Sequence, residues 1–192
     1  VYFFLPQDNS NWNINLQVSK YLPFIESTVK LTSSYSISNF KNIVNNSQLR
    51  NNQSQFLSNA LFWKTAFDTP VNLENTFTWQ YANSQSQNQQ AFINNTWQNK
   101  FKIIVKYSKK WFLILSSDYY LPDTSKKNEN FLFIDATLRH RPKSKKWEAS
   151  LVMKNLNNEK NFEQVQTSDI STTIFRSNLL PSYFLLNLTW NF

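Results

Sequence analysis

One histidine, His140, and no cysteine leave this chain little catalytic equipment. A thiolate nucleophile, a disulfide framework and a thiolate metal site are all excluded. A lone imidazole cannot build a multi-histidine metal centre. The other candidates are the charged residues Glu74, Asp118, Asp135, Arg139 and Glu148. Two carboxylates at a fixed separation would suit glycoside hydrolysis. No spacing in the sequence fixes such a pair, and no Ser-His-Asp arrangement gathers around His140. Glycine is absent altogether, so nucleotide-cradling glycine loops are excluded. The reading is a non-enzyme with no metal and no cofactor.

The elements that carry these charges have a period of two. The last eleven residues, SYFLLNLTWNF, put Phe184, Leu186, Leu188, Trp190 and Phe192 on one side of an extended strand. The same alternation recurs upstream. Trp12, Ile14, Leu16 and Val18 oppose Asn13, Asn15 and Gln17; Leu73, Phe77, Trp79 and Tyr81 oppose Glu74, Thr76 and Gln80. Strands are expected at 11–20, 27–38, 55–67, 72–83, 91–107, 111–121, 131–140, 147–156 and 182–192, with a partial one at 1–5. Lys30, Lys64, Glu74, Lys100, Lys102, Asp118, Asp135, Arg139, Glu148 and Lys154 all fall opposite the apolar side. Lipid enforces such segregation, because Lys or Arg at the bilayer midplane costs roughly 2–4 kcal/mol. Trp12, Trp63, Tyr81, Trp111, Tyr119, Trp147 and Trp190 lie toward strand ends, as an interfacial aromatic girdle requires.

Composition agrees with this pattern. Aromatic residues make up 17% and charged residues only 17% of the chain, against about 25% charged in ordinary globular domains. Mean hydropathy is −0.52, and no window holds about 18 consecutive apolar residues. The formal charge of +8 raises a nucleic-acid reading. The basic residues are scattered, however, and the one dense cluster is Arg139, Arg141, Lys143, Lys145 and Lys146, so no nucleic-acid partner is expected. That cluster would meet anionic headgroups or solvent at a turn. With no glycine, tight turns must rely on Asn, Asp, Ser and Pro, and Asn is the best substitute at positive φ.

Connections alternate between short (20–26, 68–71, 108–110, 141–146) and long or polar (6–10, 39–54, 84–90, 122–130, 157–181). Outer-membrane barrels show this short-turn, long-loop alternation. The fold expected is all-β: an antiparallel, up-and-down transmembrane β-barrel segment of about ten strands, open or incomplete. The start, VYFFLPQDNS, has no basic n-region and no small-residue cleavage site, so no signal peptide is expected within the chain. It reads as a strand cut in mid-run, making residues 1–192 a single barrel segment.

Two stretches carry a family resemblance. One is the penultimate strand with its Asn-Leu element, SLVMKNLNNEKNF; the other is LLPSYFLLNLTWNF, ending in Phe192. Together with YLPFIESTVKLTSSYS and SSDYYLPD they make the chain resemble the C-terminal part of a TonB-dependent outer-membrane receptor, over essentially its whole length. The resemblance implies a 22-stranded barrel closed by an N-terminal plug. It also implies a TonB box near the N-terminus and uptake of ligands such as iron chelates, vitamins, sugars or peptides. Neither plug nor box lies in this sequence, so TonB would be met only through a missing N-terminal part. Family strands normally contain glycine, and these do not.

On this reading the partners are outer-membrane lipid and the barrel assembly machinery. The machinery would read Phe184, Leu186, Leu188, Trp190 and Phe192 by strand addition to an exposed edge. Glu74, Asp118, Asp135, Arg139 and Glu148 would face the lumen. Loops 39–54 and 157–181 would face outside. The alternatives are a self-contained small outer-membrane barrel (porin, adhesin or structural protein) and a soluble β-rich binding module.

Overall fold

The computed structural model describes residues 2–3, 9–44, 49–87, 91–123, 130–144, 146–167 and 172–190. The protein is all-β. Its strands are β1 (Tyr2–Phe3), β2 (Ser10–Leu22), β3 (Ser27–Val44), β4 (Arg50–Thr65), β5 (Val71–Ser86), β6 (Phe92–Lys106), β7 (Trp111–Leu121), β8 (Phe131–His140), β9 (Trp147–Lys154), β10 (Asn161–Thr167), β11 (Thr172–Asn178) and β12 (Tyr183–Trp190). One antiparallel meander runs from β2 through β9 and ends on β12. β10 and β11 form a separate two-stranded sheet. The large sheet is not a closed barrel: β12 pairs only with β9, and β2 only with β3.

Register turns the alternation of each strand into a property of the whole sheet. Directly opposed residues share a face, and one row reads Leu31, Leu61, Phe77, Asn99 and Tyr119 from β3 to β7. Another reads Ile103, Leu115, Ala136, Met153 and Phe184 from β6 to β12. The members of the apolar sets read from the sequence that lie within described strands of the large sheet all fall on this one face. The ten charged residues expected opposite it all lie on the other face, as the pairs Lys64–Glu74, Glu74–Lys102 and Lys100–Asp118 show. Lys20, opposite Val29, and Lys41, opposite Asn51, do stand on the apolar face, each near a strand end.

Several expected boundaries are corrected. The polar segment 39–54 is not a long loop. β3 and β4 continue pairing through Asn39–Gln53, Phe40–Asn52, Lys41–Asn51 and Asn42–Arg50. Amide ladders carry this extension: Asn52 Nδ2 donates to Asn42 Oδ1 at 3.0 Å, and Gln53 Nε2 to Asn39 Oδ1 at 3.0 Å. Likewise β5 runs on to Ser86, which opposes Asn52. Segment 157–181 contains the β10–β11 hairpin. At the start, β1 and β2 both run antiparallel to β3. They lie in line with each other along β3, and residues 4–8 between them fall outside the described residues. The sheet is therefore nine strands wide.

Turns form without glycine. Three described residues take positive φ: Glu26 at 45°, Asn155 at 54° and Asn158 at 57°. Two of them are Asn, the side chain that best tolerates the left-handed region. The β4–β5 turn is held by Asn72, whose Oδ1 accepts from Phe67 N at 2.8 Å and whose Nδ2 donates to Phe67 O at 3.2 Å.

Candidate functional site

The hollows shared by the middle strands open on the polar face. A cavity of about 560 Å³ is walled by Phe56 of β4, Gln80 and Ala82 of β5, Asn94, Thr96 and Gln98 of β6, Asp118 and Tyr120 of β7 and Phe133 of β8. All stand on the polar face by register. Two neighbouring hollows, of about 270 and 530 Å³, share Asp118 and Phe133 with it. Asp118 thus stands at the centre of a continuous concavity.

The roof comes from the segment between β9 and β12. Phe162 of β10 packs edge-on against Phe131 at 5.3 Å and Phe133 at 5.8 Å, and tilted against Tyr120 at 5.6 Å. Gln164 follows it into the cavity lining, because residues two apart in a strand share a face. Glu163, on the other side of β10, is held by Arg176 of β11 at 2.5 Å.

Asn155 fixes both ends of this excursion. Its Nδ2 donates to Glu159 O at 2.8 Å and to Leu180 O at 2.9 Å, and its Oδ1 accepts from Glu159 N at 2.8 Å. Its backbone N donates to Asp135 Oδ1 at 2.9 Å, and its carbonyl accepts from Ser182 Oγ at 2.6 Å. Asn157 clips the same turn to β8: Ile134 N donates to its Oδ1 at 3.0 Å, and its Nδ2 donates to Leu132 O.

Each charged residue expected in a lumen is ion-paired. Glu74 bridges Lys102 at 2.9 Å and Lys64 at 3.8 Å. Asp118 accepts from Gln98 Nε2 at 2.9 and 3.1 Å, with Lys100 at 3.9 Å. Asp135 pairs with Lys154 at 2.7 Å. Glu148 meets Arg139 at 3.2 Å and Arg141 at 3.8 Å. No group of three or more metal-ligating side chains occurs among the described residues.

The aromatic residues of the other face fall into two bands. Trp111, Trp147 and Trp190 lie at the short-turn end; Trp190 opposes Trp147, and Trp111 opposes His140. His140 joins this band, with ring centroids 4.2 Å from Trp111 and 5.2 Å from Trp147. Trp63, two residues from the end of β4, belongs there too. Trp12, Tyr81 and Tyr119 lie toward the long-loop end, where Trp79 and Trp97 oppose each other. On β12 the expected assembly residues Phe184, Leu186, Leu188 and Trp190 share the apolar face and are 62–72% exposed. Phe192 and Lys145 lie outside the described residues.

The alternation pattern missed Phe56, Phe131, Phe133 and Phe162, because it singled out only charged residues on the inward face. The sequence signal of Phe56, Phe131 and Phe133 is that each falls out of phase with its strand's apolar set, whereas Phe162 lies in the segment 157–181, where no strand is expected. Set against known proteins, the chain stands apart: no family model matches it, and neither a curated protein nor a solved structure is significantly similar.

Proposed function

We propose that this chain is a strand-rich segment of an outer-membrane β-barrel, the C-terminal barrel portion of a receptor of the TonB-dependent kind, importing its ligand past the polar face. The observation that carries the reading is the shared register of nine strands, apolar on one face and ion-paired on the other.

Magnitudes favour lipid over water as the neighbour of the apolar face. A globular protein of 22.8 kDa would expose roughly 9,600 Å², whereas this chain exposes 13,448 Å². Only Phe40, Pro122, Phe131 and Ala136 are buried among its described apolar side chains. Apolar patches on soluble monomers rarely exceed roughly 300–600 Å², and this face spans nine strands. From Val71 to Tyr81, β5 advances ten residues, roughly 33 Å at about 3.3 Å per residue. At the roughly 40° tilt of outer-membrane strands this is about 25 Å of height, the apolar band of such barrels. Beyond that band the strands continue as polar, Asn- and Gln-rich hairpins. The receptor assignment within the barrel class rests on the Asn-Leu strand and the aromatic last strand.

The test is fractionation of the full chain, fused to an export signal, in a diderm bacterium. The chain should sediment with the outer membrane, resist alkaline carbonate and urea, and yield to detergent. Release by carbonate would overturn the reading. Reading the frame upstream of Val1 tests the narrower assignment: a plug and a TonB box are expected, and an export signal directly before Val1 would instead mean a small independent barrel.

A further inference from the structure

We infer that the cavity roofed by β10 is a binding site for a neutral oligosaccharide. The inference deepens the barrel reading, in which the polar face is a lumen. Three properties of the lining carry it.

First, among the described residues no Lys or Arg lines the cavity, and Lys100, Lys102 and Lys154 of the adjoining hollows are held by Asp118, Glu74 and Asp135. The cavity's one charged wall residue, Asp118, is already compensated by Gln98 and Lys100. An anionic ligand would have to break one of these ion pairs to gain a partner for its charge, which is costly in a partly desolvated site. A cation would find Asp118 already engaged.

Second, the remaining polar groups are amides and hydroxyls. Asn94 is only 5% exposed and its Oδ1 accepts no hydrogen bond. A buried acceptor left unpaired costs about 1–3 kcal/mol; this oxygen is sealed from the cavity, and a turn of the Asn94 side-chain amide toward the cavity it lines would let a ligand hydroxyl donate to it. The side-chain amides of Gln80 and Gln164 bond to no described residue and line the same space. A primary amide both donates and accepts, as does each hydroxyl of a sugar.

Third, the ring of Phe162 enters this polar setting between Tyr120 and Phe133. An aromatic face is electron-rich and suits the C–H face of a pyranose ring. Aromatic surface beside convergent amides is the chemistry of a ligand with apolar ring faces and a hydroxyl rim. The cavity, about 560 Å³, lies in the roughly 300–1,000 Å³ range of ligand sites.

The experiment is calorimetric titration of the full chain, folded in detergent micelles, with maltohexaose, cellohexaose and xylohexaose. Trigalacturonate and a neutral Ala/Ser hexapeptide are the comparison ligands. At least one neutral oligosaccharide should bind saturably, and Asn94→Ala and Phe162→Leu should each weaken it ten-fold or more. Phe162→Leu keeps an apolar side chain against Tyr120 and Phe133 but removes the ring face; its circular dichroism should match the parent. Failure of all three neutral sugars to bind overturns the inference. So does preferential binding of trigalacturonate or the peptide, or indifference to both substitutions. Membrane insertion without sugar binding sinks this inference alone. Sugar binding by a chain that carbonate releases sinks the barrel reading and leaves the site standing.

Discussion

Leu115 and Ser116 are adjacent in sequence and stand on opposite sides of the sheet. Leu115 lies between Ile103 and Ala136; Ser116 lies between Lys102 and Asp135. Arginine at the two positions should therefore behave oppositely. Leu115→Arg puts a charge into the apolar band and should destabilise the chain folded in lipid vesicles by about 2–4 kcal/mol. Ser116→Arg joins existing ion pairs and should change stability by less than about 1 kcal/mol. Urea titration of vesicle-inserted protein reads both. Equal costs would mean that the two faces do not differ in environment. This segregation was legible in the sequence because a period of two needs no knowledge of neighbours. Lys20 and Lys41 break it only near strand ends, where long side chains reach water. The cavity was not legible, because its residues are contributed by six strands and meet only once register is set. Nor was the place of His140, which a motif search treats as a failed catalytic residue. Register puts it among tryptophans.

At the level of elements, one residue ties both ends of the excursion from β9 to β12. Asn155 supplies three side-chain hydrogen bonds and the left-handed turn together. Asn155→Gly keeps the backbone conformation open to the chain and removes only those bonds, for about 2–4 kcal/mol at roughly 1 kcal/mol each. Asn155→Ala adds the left-handed penalty of about 1 kcal/mol or more. Amide exchange across β10 and β11 should accelerate in both variants, more in Asn155→Ala, while β4 to β7 stay protected. A uniform acceleration across the large sheet would show that the hairpin is not a separate unit. The hairpin escaped the sequence reading because its strands are seven residues each and its turns lack the Gly signals that usually mark a hairpin. The 39–54 segment misled for a related reason. Asn, Ser and Gln have little intrinsic strand preference, and the pairing there is imposed by the long strands that feed it. A substitution that removes an amide ladder at this tip, Asn52→Ala, should loosen exchange only between residues 39 and 54.

At the scale of the molecule, a sheet nine strands wide leaves two strands half paired. Alternate backbone amides of β2 and β12 find no partner within the described sheet. In the full chain held in micelles, those amides should exchange at least a hundred-fold faster than amides of β5 and β6, as read by hydrogen–deuterium exchange. Equal protection would mean that the edges are occupied, by lipid-embedded partners or by one another. The direction of the strands bears on which of these is open to the molecule. β2 runs toward the connection at 23–26, and β12 runs toward the end of β9 that follows the connection at 141–146. Both connections are short and lie at the same end of the meander, so the two edges point the same way. Rolling this sheet until its own edges met would set β2 and β12 parallel, a seam foreign to the rest of the ladder. A wall antiparallel throughout needs an odd number of further strands between them, and a second copy of this sheet in the same orientation would bring two parallel seams rather than none.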